Sequence, residues 1–561
     1  MPEAKTKPIA ETLGELAQSS HWAKRKIQRD RWLQEGAYPG MSLGALVEAG
    51  VARTPDARIM FASAEGVVEA TIAELHRQAR AVASGYRRLG LRQGDVIAIQ
   101  LPNMLEGVVA FLAALHAGMI AVPIIHIYGA AELDYILRNC QATALVLPGQ
   151  WKKIDFAARV AGLGDLPHLR HILVVGEAGA IAGPTVAWSE LLKEENFRAG
   201  CELASADPDE ACVLLYTSGT SAAPKGVVHT HNSIAAEVPL FPIPLPAADG
   251  APILWPTPAG HIVGVVAYLR PFFLGENAIV IDQYDVDLAA QLMMKYHPDR
   301  SGGVPFQLSA LFARPDAADL LRGMRHLLAG AAGIPPSLIE QSQGFGVPAT
   351  RSYGCTEHPT ICGAQPEDPL AKRAYTDGRL LRGSQIRLVD DNGDEVAPGM
   401  PGEIHSLGPQ MFAGYLEARL NSDAFTPEGW FRTGDIGVLD PEGYLTIVDR
   451  KKDIIIRGGE NVSSKEVEDL MATHPDVMEV AAVAWPDAMY GEKVGVFVRL
   501  KPGTSLNLEQ IGQHFAAAGV ARQKTPEHLV VLEEFPRNAM GKIVKPRLRE
   551  LVVKSASAPG A

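Results

Sequence analysis

Tyr216-Thr217-Ser218-Gly219-Thr220-Ser221-Ala222-Ala223-Pro224-Lys225-Gly226 is the stretch that decides how this chain is read. An apolar run, Ala211 to Leu215, leads into it and reads as a buried strand. Val227 and Val228 begin a second strand on its far side. Gly219 takes backbone angles closed to other residues, so successive N–H groups can turn toward one concavity. Thr217, Ser218, Thr220 and Ser221 add hydroxyl donors, and Lys225 adds a positive charge. Donors, small size and a cation together suit a polyphosphate; the plainer reading is a polar hairpin turn. The stretch is not a Walker A loop, which needs Gly-Lys followed at once by Ser or Thr opening a helix. Here Pro224 precedes the lysine and Gly226 follows it.

Working outward, the length of 561 residues calls for two or more domains. Hydrophobic residues at 47% and charged ones at 21% fit a water-soluble globular chain, and a net charge of -12 argues against a nucleic-acid binder. The five cysteines show no metal-ligand spacing, and their odd number argues against a secreted disulfide scaffold. Met1 to Ser20 has no apolar core of signal-peptide type, and the last residues are not a peroxisomal signal, so the expected location is cytoplasmic. Val108 to Ile125 is strongly apolar, but His116, Gly118 and Pro123 interrupt it; a buried helix followed by a buried strand is expected, not a membrane span. The cations Lys24, Arg25, Lys26, Arg29 and Arg31 read as the solvated face of a lead-in helix.

Several later blocks carry chemistry. His261 lies in the run Trp255 to Gly264 among apolar neighbours, where a histidine is usually structural. Leu327 to Ile334 is a tight turn of small residues, against which a flat ring could lie. In Ser352-Tyr353-Gly354-Cys355-Thr356-Glu357, Tyr353 offers a stacking face, Thr356 a donor and Glu357 a hard oxygen ligand suited to Mg²⁺. Asp435 follows Gly434 as a turn residue would, and Lys542 in Gly541-Lys542 has the look of a solvated surface residue.

Taken together and in this order, the blocks resemble the signatures of the adenylate-forming superfamily, and within it the acyl-CoA synthetases. Tyr353-Gly354-Cys355-Thr356-Glu357 matches that superfamily's Tyr-Gly-x-Thr-Glu in full. The loop departs twice from Thr-Ser-Gly-Thr-Thr-Gly-x-Pro-Lys-Gly, with Ser221 for Thr and Ala222 for Gly. The resemblance implies an α/β fold, with a large multi-layer adenylation domain over residues 1–450 and a small mobile α+β domain over 451–561. It implies ATP, Mg²⁺ and coenzyme A, with Lys542 as the catalytic lysine and Glu357 as the metal ligand. Thr217 to Ser221, Lys225 and Thr356 would meet the phosphates, and Gly330, Ala331, Ala332 and Tyr353 to Cys355 the adenine. Asp435 and Arg450 would take the ribose, with Ile447 alongside. His261 would stand between the nucleotide and acyl sites, and His261, Gly264, Gly330 and Gly354 would line the acyl pocket. Lys452 would be the hinge, and Gly458, Gly459 and Glu460 would border the CoA tunnel.

Gly354 stands where acetyl-CoA synthetases carry a Trp, which implies room beyond acetate. No Asp stands beside His261 to hold a substrate ammonium. The expected substrate is therefore a medium-chain, alicyclic, aromatic or bulky polycyclic carboxylic acid. The His261 stretch resembles ligases for cyclic acids, which points toward specialised metabolism. Two other readings stay open: a ligase that loads the pantetheine arm of a separate carrier protein, and a catalytically inactive nucleotide-binding homologue. A luciferase-like oxidase has no positive feature here.

Overall fold

In the computed structural model the described residues are 8–217, 224–243, 250–330, 333–458, 460–487, 489–538 and 541–556. Uninterrupted apolar runs, unlike alternating ones, make strands covered on both faces. Val96–Ile99, Ile120–Pro123 and Ala144–Pro148 are buried at every residue and run parallel in the middle of an eight-stranded sheet. On one flank Ala211–Thr217 and Lys225–Thr230 form an antiparallel pair, with Thr217 opposite Lys225. The decisive loop is thus the connection of a hairpin at the sheet's edge region, where Gly414–Tyr415 adds the last strand.

A second, nine-stranded sheet runs parallel through Arg58–Ser63, Ala278–Ile281, Ile253–Trp255, Arg300–Gly303, His326–Ala329 and Ala349–Tyr353. Helices Ile72–Arg88, Leu105–His116 and Ile262–Leu274 share one apolar cluster with side chains from both sheets. Helix Leu105–His116 is buried continuously from Gly107 onward, and Gly118 then turns at a φ of +71° into the strand Ile120–Pro123. No helix among the described residues is long and apolar enough to cross a membrane.

Gln385–Val389, Gly402–Leu407, Phe431–Leu439 and Leu445–Arg450 form a four-stranded antiparallel sheet. The chain leaves it through a short 3-10 turn, Lys451–Asp453, and enters a different, five-stranded sheet at Ile455–Arg457. Helices Ser464–Met471 and Leu508–Ala517 cover one face of that sheet. Leu548 and Val552 of helix Lys545–Ala556 cover the other. The sequence suggests a reciprocal capping box between Ser463 and Glu466, but only half of it forms. The Ser463 hydroxyl accepts from the Glu466 N–H, while the Glu466 carboxylate takes Lys524 instead.

The basic lead-in helix, Ser20–Gln34, is not wholly solvated as its composition suggests. Arg25 is 6% exposed; it donates to the Phe412 carbonyl and, at 3.1 Å, to the Tyr38 hydroxyl, and it lies over the Trp22 ring. Arg29 pairs with Asp209 at 3.0 Å. A buried guanidinium that satisfies a buried carbonyl leaves that carbonyl desolvated and unpaired when removed, at about 2 kcal/mol. Arg25→Ala should therefore lower Tm by several degrees, whereas Lys24→Ala and Lys26→Ala should leave it within error in the same thermal scan.

Candidate active site

The hairpin register sets the first element of the site. Lys225 opens the second strand, and its ammonium lies 4.9 Å above the Tyr415 ring. The Tyr415 hydroxyl donates to Glu357 Oε1 at 2.6 Å, so one phenol links the loop lysine to the acidic motif. Nothing local in the sequence marks Tyr415, the last residue of the block Gly408 to Tyr415. Its position beside Lys225 comes from the antiparallel pairing of Gly414–Tyr415 with Val227 and Val228.

Backbone clamps fix the acidic motif. The Thr356 carbonyl accepts from His229 Nε2 at 2.8 Å, and the Glu357 carbonyl accepts from the Phe412 N–H at 2.7 Å. His229 is fully buried on the strand that leaves the loop, and burial pushes its pKa down to about 4, so the ring stays neutral. It is a second residue the sequence did not flag. Burial raises the Cys355 thiol well above its ordinary range, which keeps it protonated and inert.

At Gly354 and Gly264, expected to line the acyl pocket, an added Cβ would point at backbone. A Cβ at Gly354 would lie 1.9 Å from the Pro359 carbonyl oxygen, so this position is glycine because the motif folds back on its own backbone. A Cβ at Gly264 would lie 2.2 Å from the Pro258 carbonyl oxygen, at the start of helix Ile262–Leu274. At both positions a side chain would need the neighbouring backbone to shift. Gly330 differs: its Cβ would make ordinary contact, 3.4 Å, with Ser352 Oγ.

Asp435 gathers the next group. It is 4% exposed and accepts from the Tyr353 hydroxyl at 2.7 Å on one oxygen, while Arg450 Nε lies 3.0 Å from the other. Tyr353 and Asp435 come from separate sheets; Arg450 is opposite Asp435 in the register of two antiparallel strands. Ile447 packs into the small apolar cluster that also holds Tyr353. Its N–H donates to Asp377.

Lys542 joins this group from the far end of the chain. Its N–H donates to Asn538 Oδ1, and the Arg537 guanidinium donates to the Gly541 carbonyl, which shapes a tight turn. Arg450 is the main influence that pushes the Lys542 pKa down to about 8, followed by burial, with Asp435 and Asp453 acting the other way. Lys452 is likewise pushed down to about 8, by burial and then Arg450. The turn holding Lys452 is tied on both sides. Lys451 pairs with Glu403 and Asp391 of the large domain, while Asp453 pairs with Arg549 of the last helix at 2.5 Å.

Not every expected residue converges. Among the described residues no hydrogen bond, ion pair or ring contact links His261 to Lys225, Glu357, Asp435 or Lys542. His261 caps helix Ile262–Leu274; its Nε2 is buried without a partner, and burial pushes its pKa down to about 4. Gly458 turns at a φ of +61° and donates to the Tyr490 carbonyl, and Glu460 accepts from Gln523, both within the small domain. Ser218, Gly219, Thr220, Ser221, Ala331, Ala332 and Gly459 lie outside the described residues.

This chain belongs to the family of AMP-binding enzymes: the family matches residues 47–416, and its C-terminal domain matches residues 466–542. Among relatives, the medium-chain fatty-acid–CoA ligase of Escherichia coli K12 is 33% identical, over 94% of this chain and 93% of its own. The 2-hydroxy-7-methoxy-5-methyl-1-naphthoate–CoA ligase of Streptomyces carzinostaticus is 30% identical, over 92% and 94%. The ATP-bound structure of MatB from Rhodopseudomonas palustris superposes with a TM-score of 0.78 at 26% identity, covering 91% of this chain and 99% of that one. An anthranilate–CoA ligase holding anthranoyl-AMP shares the fold at a TM-score of 0.82 and 24% identity, over 93% and 98%. The chain is an acid–thiol ligase of the acyl-CoA synthetase branch, with ATP, CoA and a carboxylic acid as its substrates.

Beside Lys542, Gly541 lies against Phe306 of the large domain. Gly541, at a φ of +74°, lies so close to Phe306 that an added Cβ would be 2.3 Å from the ring edge. Phe306 is 42% exposed, at the start of helix Pro305–Phe312. A small displacement of a reacting group costs large factors in rate. Gly541→Val should slow pyrophosphate release at least about tenfold. Adding Phe306→Ala should recover part of that loss, and no recovery would assign the defect to the positive φ alone.

Proposed function

We propose that this enzyme activates an uncharged-tailed carboxylic acid, medium-chain, alicyclic or aromatic, as its acyl-AMP and passes the acyl group to CoA. The observation that carries the reading is that Lys542 lies within the electrostatic reach of Arg450 and Asp435, the carboxylate to which Tyr353 is also bound. In the first step a carboxylate oxygen bonds to the α-phosphorus of ATP, the bond to the bridging oxygen of the β-phosphate breaks, and pyrophosphate leaves. Lys542 offsets the charge that builds on the carboxylate and α-phosphate, the kind of interaction that lowers such barriers most. Asp435 and Arg450 hold the ribose; a carboxylate has lone pairs left for hydroxyl donors after Tyr353 and Arg450 are satisfied.

Thr217, Lys225 and Thr356 would face the polyphosphate, with Ser218, Gly219, Thr220 and Ser221 completing the loop. Glu357, half-buried and anchored by Tyr415, suits the single carboxylate that Mg²⁺ takes when most of its other ligands are phosphate oxygens and water. Bound there, the ion would offset phosphate charge. In the second step the small domain, residues 451–561, swings about Lys452, withdraws Lys542 and brings Gly458, Gly459 and Glu460 to the pantetheine channel. The thiol sulfur bonds to the acyl carbonyl carbon, AMP leaves, and the thiol proton passes to solvent.

His261, which the resemblance places beside the acyl group, is held neutral by burial and supplies no anion for a substrate ammonium. The relatives act on a medium-chain fatty acid and on a naphthoate, which supports the same range. A screen of carboxylic acids with ATP, with CoA and a phosphopantetheinyl carrier protein as alternative acceptors and mass spectrometry of the products, tests the proposal. Amino acids as the preferred substrates would overturn it. Acyl transfer to the carrier alone would overturn the acceptor, and no pyrophosphate release with any acid would leave an inactive homologue.

Lys542→Ala should suppress acyl-AMP formation by at least roughly 10²-fold while sparing thioester formation from supplied acyl-AMP. Equal loss in both half-reactions, measured separately in rapid quench, would count against a swinging domain. The pH dependence has a definite sign. Lys542 is charged below about pH 8 and loses its charge above it, so kcat/KM for pyrophosphate release should fall as pH rises through about 8. Lys542→Arg keeps its charge there and should remove that limb, even at reduced rate. A limb that survives in the arginine variant belongs to another group.

A further inference from the structure

Away from the site just described, three helices bring Glu48, His76 and His116 together. They are Leu43–Arg53, Ile72–Arg88 and Leu105–His116. Glu48 Oε1 lies 3.9 Å from His76 Nε2 and 3.8 Å from His116 Nδ1, and the three donor atoms all fall within 4.8 Å of one another. These separations are too long for direct hydrogen bonds. Both ring nitrogens are nonetheless buried without a partner. His116 is 2% exposed, and its Nε2 lies 2.7 Å from the Cys201 carbonyl.

A carbonyl only accepts, so His116 Nε2 carries the proton and Nδ1 presents a lone pair. That lone pair faces a carboxylate oxygen, acceptor against acceptor, with His76 closing the third side. The N–H to the Cys201 carbonyl is the outer bond that orients a ligating histidine and fixes its tautomer.

We propose that Glu48, His76 and His116 form a binding site for a divalent transition-metal ion of the zinc type. Two imidazoles and one carboxylate are a recurrent zinc set, with a fourth position for water. Tetrahedral ligands at about 2.1 Å place donor atoms about 3.4 Å apart, so the two Glu48 separations need to contract by roughly half an ångström and the two ring nitrogens, within 4.8 Å of each other, by as much as about 1.4 Å. The Glu48 side chain, 38% exposed, has room to make that movement and gives the ion a path from solvent. The bound ion ties three helices of the core at the point where the Cys201 segment crosses them.

The test uses the full-length chain, stripped with a chelator and titrated with Zn²⁺, then with Co²⁺ as a visible-absorption reporter of nitrogen ligation. The expected result is one zinc per chain with a rise in Tm. Glu48→Gln and His76→Gln should each weaken it at least about tenfold while pyrophosphate release persists in the folded variants. A bridging water in place of the ion predicts no saturable zinc and no change in Tm, and that result would overturn the proposal. So would one equivalent of zinc held unchanged by both variants, which would place the metal elsewhere.

Discussion

The Asp435 carboxylate is the constraint on which the rest of the site depends. It is buried, and a buried carboxylate must be paired. Tyr353 and Arg450 satisfy it from two different sheets, which fixes how those sheets meet. Arg450 in turn depresses Lys542 and Lys452, while Asp435 and Asp453 partly compensate. Three cations thus stand against two carboxylates at the seam of the two domains, Arg450, Lys452 and Lys542 against Asp435 and Asp453. The two lysines are held in settings that disfavour their charge, while Asp435 and Asp453 keep Arg450 charged, and among these five groups the excess is positive although the chain carries -12 overall. An anion entering this seam relieves repulsion already present, so the attraction is strongest for a ligand that brings several negative charges at once.

Much of the architecture was legible because it rests on periodicity. Apolar runs without alternation marked the parallel strands, and the helix–strand reading of Val108 to Ile125 followed from Gly118 and Pro123. The grouping of Tyr353, Asp435, Arg450 and Lys542 was legible only through the resemblance, since residues so far apart in sequence share no local pattern. Tyr415 and His229 stayed hidden for the same reason: each acts through a partner brought to it by strand pairing. Glycine was legible only in part: a sequence does not say which way a missing Cβ points, and at Gly354 and Gly264 it points at backbone. Arg25 misled as one cation in a basic cluster, because the carbonyl it satisfies lies in a distant segment.

The two strands around the phosphate hairpin have a mechanical consequence. His229 lies on the strand that exits the loop and holds the Thr356 carbonyl, and Tyr415 pairs with that same strand and holds the Glu357 carboxylate. Lys225, Thr356 and Glu357 are therefore mounted on one pair of strands. In the proposed reaction a pull on Lys225 would reach the acidic motif through those strands, with little chance for either to relax alone. The fold itself orders these three groups, so a nucleotide bound as proposed would have little of them left to freeze.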